Sequence, residues 1–441
     1  MGEGAKMTFW REEFSQEDIN FIVERIKSSR TLNSDGNVTV SEGLGQFSDW
    51  TSLIVSASAF PAPSQSIRNK VIVDTILSKE LPQNFSERDF KCLAWRLLNK
   101  ITNDLRVYRV AVPIWNKPRF LCGTKKINGV HLNITPSKNS KIYIKIIRER
   151  ADQQGDNIYS IHFNDQVIED LKGSHLSLSS VKANNPEDAY ERVTTAIYEL
   201  LGIVNISRDS SKRWRLSFRI GGKLPLSDVL IPPHITVHTE SGQLATKGFW
   251  YHPWVAGATP NHVPDEKIAI WDKNFRYLER AINKSPWRGE CKNALSRYFQ
   301  AFSNPNLEEA FLDGWRLFEN VSGSRKEAIE IKIRRSANVF KDHKEHKLLG
   351  VHLALRRNLI SHGHRVNADD EEVLLFQMSR FLVPYMERFL LNRLNLHSLK
   401  EFWDFLDLPH SAEQREKEMK NAVRKVELLK KANSFRASGV K

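Results

Sequence analysis

Three residues near the end of a predicted helix, Arg357, Asn358 and His362, have side chains suited to work together in catalysis. The guanidinium of Arg357 is a permanent cation, which can stabilise negative charge as it grows on an oxygen. An imidazole titrates near neutral pH, so His362 can accept or donate a proton. Gly363 follows at once, and no other stretch of the chain concentrates so many reactive groups. These residue types indicate acid-base chemistry on a substrate that carries or develops negative charge.

One straight helix cannot direct both Arg357 and His362 at the same atom. At about 100° per residue, positions five apart point about 140° away from each other. Asn358 and His362 are four apart, so they share a face and can form a hydrogen bond. A site that uses Arg357 together with His362 therefore needs local unwinding or, more naturally, a second copy of the helix across a two-fold axis.

The helix that carries these residues has a predicted start, end and buried side. The segment Asp342-His343-Lys344-Glu345 fits a capping box, and Gly363 fits the position after a helix end, where a positive φ is often required. Four apolar residues recur along the helix and predict the stripe that it buries: Leu348, Val351, Leu355 and Leu359. The candidate residues are therefore expected where a packed helix runs out into a polar turn.

The sequence on either side of this helix predicts an all-helical C-terminal domain. Helical periods cover Asp265–Lys284, Glu290–Phe302, Pro305–Phe318, 324–340, the motif helix and a long helix from about Asp369. The segment Pro253–Pro264 has no helical period, and we place the main domain boundary there. The tail from Ser411 to Lys441 has nine Lys or Arg against four Glu, and it predicts an exposed basic helix.

The part of the chain before this boundary mixes helical and β patterns. Helices are predicted at 8–30 with Ser15 and Asp18 as a capping box, at 65–79, at 86–105 and at Ala189–Leu201 after Asn185-Pro186; residues 31–49 are predicted to form a loop. Two-residue alternation predicts strands at Val107–Ile114, Val130–Ile134, Lys141–Ile147, Arg213–Ile220, Ile235–Thr239 and Leu244–Tyr251. The predicted fold class is therefore α+β. It comprises a mixed α+β region at 1–252, an all-α bundle at 265–395 and a basic helical tail at 396–441.

Composition narrows the class of protein. A chain of 441 residues favours two or three domains, and the net charge of +14 favours encounter with polyanions such as nucleic acid. No apolar run of about 18 residues predicts a membrane span. The three cysteines, Cys92, Cys122 and Cys291, form neither a disulfide framework nor a zinc pattern, so we predict a reducing, cytoplasmic setting. No metal or cofactor motif is found, and the histidines at 343, 346 and 352 are predicted to lie on the surface.

The pattern Arg357-Asn358-x-x-x-His362, in the next-to-last long helix of an all-helical domain, resembles the motif of the HEPN superfamily of prokaryotic conflict-system and related ribonucleases. The upstream segment Trp315-Arg316-Leu317-Phe318-Glu319 also resembles the aromatic and Leu-Glu segment on an earlier helix of such domains. The resemblance covers about residues 265–395 and does not extend to the first 250 residues.

This resemblance implies metal-independent RNA cleavage, with two motifs meeting across a homodimer. The RNA 2′-hydroxyl would attack the adjacent phosphate and leave a 2′,3′-cyclic phosphate and a 5′-hydroxyl. His362 would act as the general base or acid, Arg357 would stabilise the phosphate oxygens, and Asn358 would orient His362 or contact the backbone. The family also suggests an RNA substrate such as tRNA, no cofactor, and a toxin or phage-defence role under the control of a regulatory protein or a phage-derived trigger.

Two other functions are compatible with the same sequence. The helical domain can be a non-catalytic HEPN-like module for dimerisation or nucleic-acid binding, regulated through the N-terminal region. A DNA-binding regulator is favoured by the positive charge but disfavoured because no clear helix-turn-helix is found.

Overall fold

The computed structural model of the protein describes residues 8–40, 44–115, 118–135, 175–208, 225–232, 235–246, 250, 265–340, 342–363 and 368–437. Within these ranges the N-terminal part combines helices with an antiparallel sheet, and the part from residue 265 onwards contains helices only. The predicted α+β class is confirmed. The predicted boundary at 253–264 and the predicted strands at 141–147 and 213–220 lie outside the described residues, so the division into domains stays a prediction.

Helices and one short hairpin form the first packed unit: α1 (Gln16–Ser29), β1 (Arg30–Leu32), β2 (Val38–Val40), α2 (Leu44–Ala57), α3 (Gln65–Ile76) and α4 (Glu87–Asn103). The predicted capping box of α1 is present, since the Ser15 and Asp18 side chains bond each other's backbone N–H groups. The loop predicted at 31–49 was wrong, because the hairpin and the start of α2 occupy it. These helices enclose an apolar core that runs from Phe9 to Leu98.

An antiparallel sheet follows, with a single 3-10 turn at Arg119–Leu121: β3 (Arg106–Ile114), β4 (Gly123–Ile127), β5 (Val130–Ile134), β6 (His175–Ala183) and β7 (Thr236–Thr239). The strand order is β4-β5-β6-β3-β7, and Val110 of β3 lies opposite Ser179 of β6 and Val237 of β7. Helix α5 (Pro186–Ser207) lies against this sheet. Asn185 caps α5 and Pro186 is its first residue, as predicted.

The C-terminal helices are α6 (Asp265–Lys284), α7 (Arg288–Ser303), α8 (Leu307–Val321), α9 (Ile329–Ala337), α10 (His343–Ser361), α11 (Ala368–Leu391), α12 (Leu399–Asp407) and α13 (Ala412–Ala437). Helix α12 is held to α9 by the buried Arg335, which donates to Asp407 at 2.7 Å and to Glu327 at 2.7 Å. Helix α13 is exposed along almost its whole length, which confirms the predicted exposed basic helix. Within the described ranges, no helix is both long enough and apolar enough to cross a membrane.

The sheet and the helical bundle share one core. It extends from Tyr108 of β3 through α5 to Leu406 of α12. A polar triangle reinforces the joint: Asn128, in the turn between β4 and β5, donates to Glu199 of α5 at 2.8 Å and accepts from Lys292 of α7 at 2.7 Å. Lys292 also pairs with Glu199 at 3.2 Å. Helix α5 therefore connects the sheet to the bundle that carries the candidate site.

Candidate active site at the end of α10

Helix α10 packs through one side and leaves the other open to solvent. Four residues are buried: His346, Gly350, Leu353 and Ile360. The predicted buried stripe was wrong, since its members are 70, 41, 60 and 45% exposed: in order, Leu348, Val351, Leu355 and Leu359. The predicted capping box was also wrong, because the Asp342 side chain forms no capping hydrogen bond.

The packed side of α10 carries a glycine, Gly350, because neighbouring helices approach closely there. A Cβ atom on Gly350 would lie 2.7 Å from Ile333 of α9 and 2.9 Å from Phe381 of α11. Only glycine allows this approach without a shift of the neighbouring side chains. Leu353 and Ile360 are buried on the same side of α10 as Gly350, whereas the predicted stripe faces solvent.

His346 lies on the packed side of α10, at a buried position of the kind that apolar side chains usually occupy. Its ring stacks between Phe340 and Phe381, with centroid distances of 3.4 and 4.7 Å. Its Nε2 donates to the carbonyl of Phe381 at 3.2 Å. Burial lowers the pKa of His346 to about 4, so the ring is neutral at pH 7. His346 is thus part of the core, which corrects its predicted surface position.

The low pKa of His346 makes the bundle sensitive to acid. The unfolded chain binds a proton here near pH 6.5, whereas the folded chain binds it only near pH 4. The free energy of unfolding should therefore fall as the pH drops from about 6.5 to about 4, by up to about 1.4 kcal/mol per pH unit. In urea titrations at pH 7 and pH 5, His346→Leu should lose less of its free energy of unfolding between the two pH values than wild type does. His352→Leu, at an exposed position of the same helix, should lose as much as wild type. Equal losses in all three proteins would contradict this account.

The end of α10 has the predicted backbone geometry. His362 is the C-cap, and its N–H donates to the carbonyl of Asn358 at 3.0 Å. Gly363 has a φ of +84°, in the left-handed region that favours glycine. The imidazole of His362 is exposed at this end. His364 lies outside the described residues.

Arg357 faces the bundle rather than the solvent side of α10. Its Nη2 lies 3.4 Å from Oε1 of Glu319 on α8, and its Nη1 donates to Oδ1 of Asn358 at 3.0 Å. The same Glu319 oxygen accepts from Nε1 of the buried Trp315 at 2.8 Å. The Trp315–Glu319 segment is part of the family resemblance, but no pattern in the sequence indicates that Glu319 contacts Arg357. Glu319 is therefore the additional residue of this site that sequence reasoning missed.

The candidate residues divide between two sides of the helix. At about 100° per residue, His362 lies within about 40° of Leu348 around the axis, on the exposed apolar side. Arg357 lies about 180° from Leu348, on the side of Glu319. The structure thus brings Arg357 and Asn358 together and leaves His362 of the same chain facing elsewhere. The hydrogen bond predicted between the Asn358 and His362 side chains is replaced by the one between their backbones.

Other clusters of histidine, acidic or aromatic side chains are weaker candidates for a functional site. Among the described residues, no group of three or more His, Cys, Asp or Glu side chains is arranged to hold a metal ion. His343 stacks on His410, with ring centroids 3.9 Å apart. Trp250 stacks on Tyr190 with ring centroids 4.6 Å apart, so its ring takes part in packing. Residues 251–254 lie outside the described ranges.

Comparison of the chain with protein-family models, with curated proteins and with solved structures found no match in any of the three. The case for a function therefore depends on the geometry of α10 and on the chemistry of its residues.

Proposed function

We propose that the protein is a homodimeric endoribonuclease of the HEPN type, with a site formed where the ends of two α10 helices meet. The observation that supports this most is that His362 lies on the same side of α10 as the exposed apolar stripe Leu348, Val351, Leu355 and Leu359. Exposed apolar patches commonly mark surfaces that bind another protein. A second copy that covers this stripe would bring a second motif towards His362.

The position of the two-fold axis decides whether two motifs can cooperate. If two α10 helices paired antiparallel along the whole stripe, the two His362 residues would lie about 25 Å apart, at 1.5 Å per residue. If the helices crossed at Leu359, the same residues would lie about 9 Å apart along the axes. The proposed dimer therefore crosses near Leu359, and Leu348 lies towards its periphery.

The proposed chemistry uses the side chains of the protein. One His362 takes the proton from the 2′-hydroxyl of RNA, or gives one to the departing 5′-oxygen. An Arg357 guanidinium stabilises charge on the phosphate oxygens through its planar pair of N–H groups. For this, Arg357 must leave its half-exposed contact with Glu319, which at 3.4 Å is long for a charge-assisted hydrogen bond. Asn358 already bonds Arg357 and helps to orient it.

The surface charge suits an RNA substrate, and tRNA is a suitable first choice for assays. The solvent side and edges of α10 carry Lys344, Lys347, His352 and Arg356, of which Arg356 adjoins the motif, and the chain has a net charge of +14. Basic side chains that neutralise phosphates account for most non-specific affinity for nucleic acid. The free cysteines, Cys92, Cys122 and Cys291, agree with the proposal that the protein acts in the cytoplasm.

Helix α13 is proposed to add affinity for RNA without stabilising the fold. Between Ala412 and Ala437 it has eight Lys or Arg and four Glu. Lys417, Lys420 and Arg424 are exposed and lie on one side of the helix. Replacing these three by Gln should leave the melting temperature unchanged and reduce the slope of log K against log salt for single-stranded RNA by about two.

The matched control for this prediction is on the same helix. Glu413→Gln, Glu416→Gln and Glu418→Gln together change the charge in the opposite direction, and RNA affinity should rise or stay the same. If both triple variants bound RNA like wild type across a salt series, α13 would have no part in binding.

The proposed activity requires control, because free cleavage of cellular RNA would be toxic. We propose that the N-terminal α+β region receives a regulatory protein or a phage-derived trigger, and that the protein serves as a toxin or phage-defence effector. The shared core between the sheet, α5 and the bundle provides a physical route from that region to α10.

The proposal is tested by incubating the purified protein with tRNA and total RNA in the presence of EDTA. Products should end in a 2′,3′-cyclic phosphate and begin with a 5′-hydroxyl. Cleavage should be lost in His362→Ala. Identical products from wild type and His362→Ala would show that the cleavage comes from another source.

A second function, a non-catalytic HEPN-like dimerisation or nucleic-acid-binding module, is favoured by one observation. The ion pair between Arg357 and Glu319 turns the arginine towards the bundle, where it can act structurally. In that case Arg357→Ala would change assembly or RNA binding, and the wild-type protein would not cleave RNA.

A further inference from the structure

A second charged site lies in the N-terminal unit, far along the chain from α10. An open cleft of about 630 Å³ is lined by Thr8, Arg11, Glu12, Glu13, Ala59 and Arg68. This volume is within the range of sites for small molecules. The cleft holds two arginines side by side, and their arrangement indicates what it can bind.

Both guanidiniums are held in place by one backbone segment. Phe9 and Arg11 pair with the segment that ends α2, since Ala59 donates to Phe9 at 2.7 Å and Arg11 donates to Ala57 at 2.8 Å through their backbones. Nε of Arg11 then donates to the carbonyl of Ser58 at 3.3 Å. Nη2 of Arg68 donates to the carbonyl of Phe60 at 3.1 Å, and its guanidinium lies 5.7 Å from the Phe60 ring centroid. The two cations are therefore fixed next to each other.

Neither guanidinium of this pair forms an ion pair with a carboxylate of the described residues. Among the described residues, no Asp or Glu oxygen lies within 4.0 Å of either guanidinium, although Glu12 and Glu13 line the same cleft. Burial and the neighbouring charge of Arg11 both lower the pKa of Arg68. Within the same part of the chain, the buried Nε of Arg68 has no hydrogen-bond partner. Adjacent like charges without a counter-ion destabilise each other, and a bound anion would relieve this.

We propose that this cleft binds the phosphate group of a small ligand between Arg11 and Arg68. Guanidiniums suit phosphate because their N–H groups donate charge-assisted hydrogen bonds to its oxygens. The carboxylates of Glu12 and Glu13, which also line the cleft, repel a long polyanion, so they favour a small phosphorylated molecule over the backbone of a nucleic acid. The Thr8 hydroxyl is a further donor at the cleft. This site is independent of the proposed RNA cleavage at α10.

Isothermal titration calorimetry of the full-length protein with inorganic phosphate and with pyrophosphate, at matched ionic strength, tests the proposal. Wild type should bind at least one of them with a Kd below about 1 mM. Arg11→Gln and Arg68→Gln should each weaken binding at least tenfold. Arg88→Gln, an exposed arginine on α4 of the same unit, should bind like wild type.

Because Arg11 is exposed, Arg11→Gln should keep the fold even if Arg68→Gln does not, and circular dichroism checks both. Absence of binding to wild type at 10 mM of either probe, or an unchanged Kd in a folded Arg11→Gln, would overturn the proposal. If tRNA displaced bound inorganic phosphate and pyrophosphate did not, the cleft would be a nucleic-acid surface instead. That result would also overturn the proposal.

Discussion

His362→Ala should lower the rate of RNA cleavage by about 10²–10⁴-fold, which is the usual contribution of a general acid or base. The imidazole is exposed at the end of α10, so its removal should cost little stability. Single-turnover cleavage of a labelled RNA, measured beside the melting temperature, separates these two effects. The His362 backbone would still cap the helix, because that bond uses its N–H and not its side chain.

The matched control is His352→Ala, which removes another exposed imidazole from the same helix. It should cleave at the wild-type rate. An equal loss in both variants would indicate that the histidines of α10 act through charge or RNA binding. A loss confined to His362→Ala, with RNA affinity unchanged, is the result expected of a group that transfers protons.

Leu359→Asp should convert the dimer into a monomer and abolish cleavage with it. Leu359 is 45% exposed in the single chain, and the proposed two-fold axis passes beside it. Two carboxylates would then face each other in a surface that excludes water, and the apolar contact would be lost. We expect the dimer Kd to rise at least about 100-fold, measured by analytical ultracentrifugation over a dilution series.

Ile270→Asp on α6 is the control, because Ile270 is an apolar side chain that is 61% exposed, away from α10. It should leave the dimer and its activity intact. Leu348→Asp tests the position of the axis, since Leu348 would face Leu359 of the partner subunit in a full-length antiparallel pairing but lies at the periphery of a crossing at Leu359. If Leu348→Asp dissociated the dimer and Leu359→Asp did not, the proposed crossing would be wrong.

Local signals in the sequence predicted three of the helix ends correctly, although not the start of α10. The Ser15 capping box, the Asn185-Pro186 start and the left-handed Gly363 were predicted and are confirmed, because caps depend on residues within one turn. The mixed N-terminal region and the all-helical C-terminal part were also predicted. Tertiary contacts are harder to predict: Glu319 and Arg357 are 38 positions apart, and no periodicity relates them.

Two of the wrong or missing predictions have the same physical cause. Where elements pack closely, the polarity of a residue does not indicate whether its side chain is buried. On α10 the apolar stripe predicted the buried side, yet tight packing at Gly350 and stacking of His346 bury the opposite side. Strand β6 was not predicted, because the polar Ser177 and Ser179 lie on its buried side while Leu178 between them is 37% exposed. Both serines are buried, and their hydroxyls satisfy each other at 3.1 Å.

The proposal that two copies share the active site is tested most directly by mixing two inactive variants. Arg357→Ala and His362→Ala should each be inactive alone. Co-expressed and purified together without separating the dimers, they should recover about a quarter of wild-type cleavage, since about half of the dimers are mixed and each of these keeps one of its two Arg357 and His362 pairs across the two-fold axis. A mixture no more active than either variant, beside an active wild type, would contradict a site formed from both copies.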